Sequence, residues 1–159
     1  MKKFLVQSIA LLIVTATAFY VYTSQVTQLP FLPSPQSSDI IEINGKEIKV
    51  EIADSSQERS KGLGGRESLA SDSGMLFIFP DKGQYSFWMK GLKFPLDLIW
   101  IRDDAIVDII ENVPSPGPNQ QDEDLPIYQS RIEVDKVLEV NAGVVERYQI
   151  KVGDKIILK

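Results

Sequence analysis

Six side chains have the types that could bind a ligand or take part in chemistry, and all of them lie between positions 66 and 141. They are Arg66, Trp88, Lys90, Asp97, Glu139 and Asn141. Asp97 lies between Leu96 and Leu98, and a carboxylate in an apolar strand is costly unless it is paired or hydrogen-bonded. We therefore expect either a ligand-facing acid with a perturbed pKa or a structural carboxylate that accepts backbone N–H bonds or pairs with Arg66. The guanidinium of Arg66 could instead clamp an anionic group of a ligand.

The segment Phe87-Trp88-Met89-Lys90 has a pattern with two interpretations. Strand alternation puts Phe87 and Met89 on one face and Trp88 and Lys90 on the other. One face must belong to the core, and the other could offer an aromatic platform beside a cation, which suits a sugar or an anion. Tryptophan is more commonly a core residue, and the segment alone does not decide between the two.

Glu139 supplies a second carboxylate, and Asn141 follows it in a turn. Together with Asp97, Glu139 could form the pair of acids that glycosidases place on either side of a glycosidic bond. The separation of the two carboxyl groups cannot be obtained from the sequence. An enzyme acting on carbohydrate is therefore an alternative and not the leading interpretation.

Composition excludes several classes of chemistry. The chain contains neither His nor Cys, so Ser-His-Asp and Cys-His catalysis, ordinary zinc ligation and disulfides are ruled out. We expect no metal and no cofactor, and the acidic run 122–124 is typical of a solvated loop. Of the 17 basic residues, Lys2 and Lys3 lie at the N-terminus, which leaves 15 against 22 acidic ones, a net charge of about −7. This balance gives no basic surface for nucleic acid, so we expect no nucleic-acid partner.

The elements that must position these residues are mostly strands. Asn44-Gly45 between alternating isoleucines and valines predicts a hairpin, and Ser55 with Glu58 predicts a helix that ends at Gly62. Further strands are predicted over 75–79, 85–89, 96–101, 106–110, 137–140 and 155–158, with one or two helical turns over 142–148 and a long proline-rich loop over 113–126. We therefore expect a single compact β barrel or sandwich with one or two short helices.

Glycine is concentrated in the middle of the chain. Six of the ten glycines fall between Gly62 and Gly91. They favour either a shaped pocket that the backbone approaches closely or a set of tight turns.

The N-terminal region is distinct from the domain. Residues 4–22 form an apolar stretch behind Lys2 and Lys3, and nineteen helical residues span about 29 Å, roughly one hydrocarbon core. This predicts a transmembrane signal anchor, or alternatively a signal peptide cleaved near Ala18. Residues 23–38 are rich in Pro and Ser and form a linker, and residues 39–159 form the domain. Either interpretation places the domain outside the cytoplasm, and the anchor would make the membrane a partner through residues 4–22.

Several short segments resemble the DUF192 family, and they occur in the order found in that family. They are 51–54, 58–59, 62–63, Arg66, 74–77, 87–90, 95–97, 138–143 and 152–154. The resemblance implies a small β-rich domain, commonly exported behind a signal or anchor, without an established biochemical function. The chain departs from the family pattern at Leu63-Gly64-Gly65, where Gly-Leu-Met is common, and at Gly91, where Asn is common.

Three functions remain open on this basis. The leading hypothesis is an extracytoplasmic, membrane-tethered module that binds a ligand or partner in the cell envelope, such as a carbohydrate, a small anion or a protein. The alternatives are a carboxylate-dependent enzyme on envelope carbohydrate and a purely structural domain.

Overall fold

The computed structural model describes residues 39–159. The nine strands are β1 (Asp39–Ile43), β2 (Lys46–Ala53), β3 (Ser73–Gly83), β4 (Ser86–Phe87), β5 (Leu96–Arg102), β6 (Ala105–Val113), β7 (Tyr128–Gln129), β8 (Val134–Asn141) and β9 (Ile156–Leu158). The helices are α1 (Ser56–Lys61) and α2 (Val144–Tyr148), with a 3-10 turn at Asp122–Asp124. The predicted anchor or signal peptide (1–22) and the linker (23–38) lie outside the described residues. Within residues 39–159, no helix is long and apolar enough to cross a membrane.

Seven strands form one curled sheet in the order β6-β5-β8-β3-β2-β1-β9. The neighbours β2 and β3 are parallel and are joined through α1, and the other pairs are antiparallel. The two edges of the sheet approach each other at a bridge between Ala105 and Lys155, so the sheet forms a half-barrel. The strands β4 and β7 pair separately as a small ribbon. The expectation of a mostly β domain with short helices is confirmed.

Local sequence accounts for the first hairpin and for α1. Asn44 and Gly45 have φ angles of 53° and 71°, as a tight turn between twisted strands requires. At α1, the Ser55 hydroxyl accepts a hydrogen bond from the Glu58 N–H, and the Glu58 carboxylate accepts one from the Ser55 N–H. This capping box and the end of the helix at Gly62 are both as predicted.

Both faces of the central strands are buried, each under a different hydrophobic cluster. The α2-side cluster comprises chiefly Ile41, Ile43, Ile48, Val50, Leu76, Ile99, Ile101, Leu138, Val140, Val144 and Val145. The pocket-side cluster comprises chiefly Ala53, Leu63, Met75, Phe77, Met89, Leu92, Leu98, Trp100 and Val137. Successive residues of β3, β5 and β8 alternate between the two clusters, which explains why these strands are continuous apolar runs in the sequence.

Two predicted strand boundaries are wrong. The strand β3 does not stop at Pro80 but continues to Gly83. Its pairing with β8 becomes irregular between Ile78 and Gly83, so Pro80 lies where the regular ladder needs no N–H donor. The strand predicted over 85–89 is only Ser86–Phe87, because it pairs with the equally short β7 alone.

Candidate functional site

A pocket of about 730 Å³ lies between α1 and β4, on the face of the sheet covered by the pocket-side cluster. We call it the α1–β4 pocket. It is lined by Ser56, Arg59, Ser60, Lys61, Gly62, Leu63, Gly64, Gly65, Phe77, Phe79, Tyr85, Ser86, Phe87, Trp88, Lys90, Gly91, Leu92 and Glu139. The sheet supplies its floor through Phe77 and Glu139, and α1 and the segment after β4 supply its sides. A volume of this size is within the range of small-molecule sites.

Two glycine segments meet at one side of the pocket. The Gly65 N–H donates to the Gly91 carbonyl over 2.8 Å. A Cβ at Gly64 would lie 3.1 Å from the Lys61 carbonyl and 3.3 Å from the Lys90 carbonyl, which is tighter than ordinary contact. A side chain at Gly64 would require one of these backbone segments to shift by a few tenths of an ångström. The departures from the family pattern at Gly64, Gly65 and Gly91 fall together here.

Aromatic rings form the apolar part of the pocket. The Phe77 and Phe87 rings meet edge to face at 5.0 Å, and the Phe79 and Tyr85 rings stack at 3.5 Å. Phe87 also contacts Trp100 edge to face at 5.3 Å, so the aromatic wall of the pocket packs against a buried residue of β5. Such edge-to-face pairs fix ring positions, so the wall is held in place by the core beneath it.

Glu139 is the acidic residue on the pocket floor. It alternates with Leu138 and Val140 along β8, so its side chain lies on the pocket side of the sheet, and the residue is only 4% exposed. Within residues 39–159, its carboxyl group has neither a hydrogen-bond partner nor an ion-pair partner. Burial raises the pKa of the Glu139 carboxyl to about 8. This acid is therefore largely protonated at neutral pH until something compensates its charge.

Trp88 and Lys90 lie together at the rim. Trp88 is 50% exposed, and the Lys90 Nζ lies 5.2 Å from the centre of its ring. Lys90 also forms an ion pair of 2.7 Å with Asp122, which brings the 3-10 turn of the proline-rich loop to the pocket rim. The exposed Trp88 ring and the Lys90 ammonium thus lie side by side at the pocket rim.

Asp97 lies on the opposite face of the sheet from Glu139. It is fully buried, and its two carboxylate oxygens accept hydrogen bonds from the backbone N–H groups of Asn112 (2.9 Å) and Val145 (3.0 Å). Val145 is in the first turn of α2, whose preceding residue Gly143 has no side chain to cap it. The Asp97 side chain, although it belongs to β5, therefore caps the N-terminus of α2.

Arg66 and Asn141 are also held by protein groups. Arg66 forms a two-pronged ion pair with Glu51, at 2.5 and 2.6 Å, and not with Asp97. The Asn141 side chain donates to the carbonyls of Leu69 (3.1 Å) and Ala70 (2.9 Å), which fastens the loop between α1 and β3 to the end of β8. Of the six candidates, the structure brings together Trp88, Lys90 and Glu139 in the pocket and places Arg66, Asp97 and Asn141 outside its lining.

Sequence reasoning did not select most residues of the pocket lining, among them Arg59, Lys61, Phe79 and Tyr85. Arg59 donates to the carbonyl of Ile78 over 2.9 Å and lies 5.3 Å from the Phe79 ring centre. Phe79 and Tyr85 looked like ordinary strand residues, and Lys61 looked like the end of a surface helix. The only available signal was the glycine concentration around them.

Comparison with known proteins places this fold in a family. The model of DUF192, described as an uncharacterized ACR, matches residues 39–158. The chain belongs to this family. No curated protein matches it.

Two crystal structures of relatives share the fold. One is from Sinorhizobium meliloti 1021 and is described as a "putative transcription regulator". It is 31% identical with a TM-score of 0.69, and the match covers 79% of this chain and 96% of that chain. The other is a protein of unknown function from Novosphingobium aromaticivorans, which is 28% identical with a TM-score of 0.66 and coverage of 74% and 83% respectively.

Proposed function

We propose that this DUF192 domain is a non-catalytic binding module that takes a small ligand, or a small group of a larger partner, into the α1–β4 pocket. The observation that carries the proposal is Glu139, a buried acid without a partner in the described chain, on the floor of an aromatic-lined pocket. Burying a carboxyl group without compensation is costly, and an acid with a pKa raised by burial inside a cleft is a candidate for a functional site. Trp88 at the rim gives an incoming molecule an exposed aromatic surface.

The pocket does not have the groups that carboxylate-dependent hydrolysis requires. Among the residues that line it, Glu139 is the one carboxylate. Asp97, the second acid of the predicted pair, lies on the other face of the sheet, with both oxygens bonded to backbone N–H groups. Two acids on opposite faces cannot flank one glycosidic bond, so binding without catalysis is the better-supported function.

The regulator name of the Sinorhizobium relative does not lead us to propose a nucleic-acid function here. The domain carries 22 acidic residues against 15 basic ones, which repels a phosphate backbone. Its helices α1 and α2 have six and five residues, which is short for a recognition helix.

The proposed location of the module is outside the cytoplasm, tethered through residues 4–22 or released by cleavage near Ala18. The basis is the sequence alone: two lysines, an apolar stretch and a proline-rich linker. In that setting, the ligand would come from the cell envelope or its surroundings.

A fragment screen followed by NMR tests the binding function. We expect hits to shift the Trp88 indole signal and the Gly64 and Gly91 amide signals together and saturably. Trp88→Ala should weaken these hits at least about fivefold, since aromatic contacts contribute about 1 kcal/mol or more. Ile127→Ala is the matched control, because Ile127 is 70% exposed and does not line the pocket. A varied screen that never moves the pocket signals would leave the purely structural role as the better account.

A further inference from the structure

We infer that the group entering the α1–β4 pocket is a protonated amine, bound by the Glu139 carboxylate among the aromatic rings, and that the ligand carries an anionic group that stays at the rim near Lys61. This inference deepens the proposed function and rests on it. It assigns the ligand a chemical class: a small zwitterion or an amine-bearing side group with an acid a few bonds away.

The Glu139 carboxyl on the pocket floor favours a cationic group in the ligand. The Glu139 carboxyl lacks a positive partner among residues 39–159, although three basic side chains line the same pocket. Arg59 is engaged with backbone carbonyls and lies against Phe79, and Lys90 is engaged with Asp122. A ligand ammonium would supply the missing charge and form charge-assisted hydrogen bonds that are stronger than neutral ones.

The aromatic rings favour the same chemistry. Phe77, Phe79, Tyr85 and Phe87 line the pocket close to its acidic floor. Aromatic faces attract ammonium groups, most strongly where water is displaced, and their hydrocarbon surface accommodates the methylene groups of an alkyl amine. A carboxylate or phosphate placed at this depth would gain nothing from the negatively polarised faces of the rings.

The rim favours an anionic group at the other end of the ligand. Lys61 is exposed in the last turn of α1 and forms no ion pair within the described residues. Lys90 also lines the pocket, beside Trp88. A molecule with a positive group at one end and a negative group at the other could pair with Glu139 on the floor and with Lys61 at the rim.

Binding of such a ligand must release a proton. Burial raises the pKa of the free Glu139 carboxyl to about 8, and an ammonium beside it favours the charged form. The titratable and charged groups facing it are Arg59, Lys61, Tyr85 and Lys90 in the lining, and Glu51 across Met75, which is held by Arg66. Because the Glu139 carboxyl is protonated below about pH 8 in the free domain and charged beside a bound ammonium, affinity for amines should rise from about pH 6 to 8.

Calorimetry with four matched probes on the full chain tests the inference: 6-aminohexanoate, hexylammonium, hexanoate and hexanol. We expect 6-aminohexanoate to bind best and hexanoate worst.

Titrations in buffers of different ionisation enthalpy measure proton release. At neutral pH, binding of the amines should release nearly one proton. Glu139→Gln should weaken amine binding at least about tenfold and abolish proton release, whereas the exposed Glu146→Gln should change neither. Lys61→Gln should weaken 6-aminohexanoate and leave hexylammonium unchanged.

The outcomes separate the two proposals. If hexanoate or hexanol shifts the Trp88 signal at least as well as the amines, the amine inference is overturned while the binding function stands. Amine binding that survives Glu139→Gln with no proton release also overturns the inference. If neither these probes nor the fragment screen moves the pocket signals, the binding function fails as well.

Discussion

Two buried acids meet the cost of desolvation in different ways. Asp97 is fully buried, and each of its carboxylate oxygens accepts a hydrogen bond from a backbone N–H group. Glu139 is 4% exposed, and its carboxyl group has no such partner in the described residues. Their local sequences, Leu-Asp-Leu and Leu-Glu-Val, are nearly equivalent. What distinguishes them is the face of the sheet to which each points: Asp97 meets the backbone N–H groups of Asn112 and Val145, whereas Glu139 faces the α1–β4 pocket.

The free domain should lose stability as pH rises because of Glu139. Its pKa is raised from 4.5 to about 8 on folding, so between these values the native state holds a proton that the unfolded state has released. The free energy of unfolding then falls as pH rises through this window, by up to a few kcal/mol, and levels off above it. Glu139→Gln cannot ionise and should remove this contribution, so the variant should be relatively more stable at pH 8 than at pH 5.

Urea unfolding of wild type and variant at several pH values measures this difference. Glu146→Gln is the control, because it removes an exposed carboxylate from α2 and should leave the pH dependence almost unchanged. Parallel pH profiles for wild type and Glu139→Gln would show that the Glu139 pKa is not raised by folding.

At the scale of elements, α2 depends on a side chain from a distant strand. The helix has five residues and begins after Gly143, which provides no side-chain cap. Asp97→Asn retains one acceptor oxygen but turns an NH2 group towards a backbone N–H, so one buried donor is left unsatisfied. We expect a loss of more than about 2 kcal/mol in the free energy of unfolding. Asp81→Asn, at an exposed position of β3, should cost less than about 0.5 kcal/mol in the same urea titration.

A smaller loss than this would mean that water replaces the missing acceptor at α2. Hydrogen exchange at the Val145 amide distinguishes the cases, since that N–H bonds directly to Asp97. Faster exchange confined to α2 supports the capping role, whereas unchanged exchange contradicts it.

Elements whose causes are local could be predicted from the sequence. The Asn44-Gly45 hairpin and the Ser55–Glu58 capping box each depend on residues a few positions apart. The pairing of Arg66 with Glu51, 15 positions away, and of Asp97 with Val145, 48 positions away, depends on strand order, which the sequence does not reveal. The pocket could not be predicted for the same reason. The concentration of glycines was visible in the sequence, but α1 lies opposite β4 only because β2 and β3 are parallel neighbours.

At the scale of the whole molecule, the two faces of the curled sheet serve different purposes. One face is closed by α2 and its cluster, and the other is covered only in part, which leaves the α1–β4 pocket open beside the pocket-side cluster. The proline-rich loop joins the second face through the ion pair between Lys90 and Asp122. The acid that stabilises α2 and the acid on the pocket floor thus lie on opposite faces of the same sheet.

The N-terminal segment should decide where this pocket is displayed. Residues 4–22 are apolar and long enough to span a membrane as a helix, and the preceding lysines favour the cytoplasmic side for the N-terminus. We expect the full chain to fractionate with membranes and the domain to be digested by protease added from outside. Mass spectrometry of the mature protein then separates the two alternatives, because an intact N-terminus indicates an anchor and a start at Phe19 indicates cleavage after Ala18. A chain lacking residues 1–38 is the matched control and should remain in the cytoplasm, protected from the protease. Full protection of the complete chain in spheroplasts, where added protease reaches the outer face of the cytoplasmic membrane, would contradict export and would place the ligand of the pocket among cytoplasmic molecules.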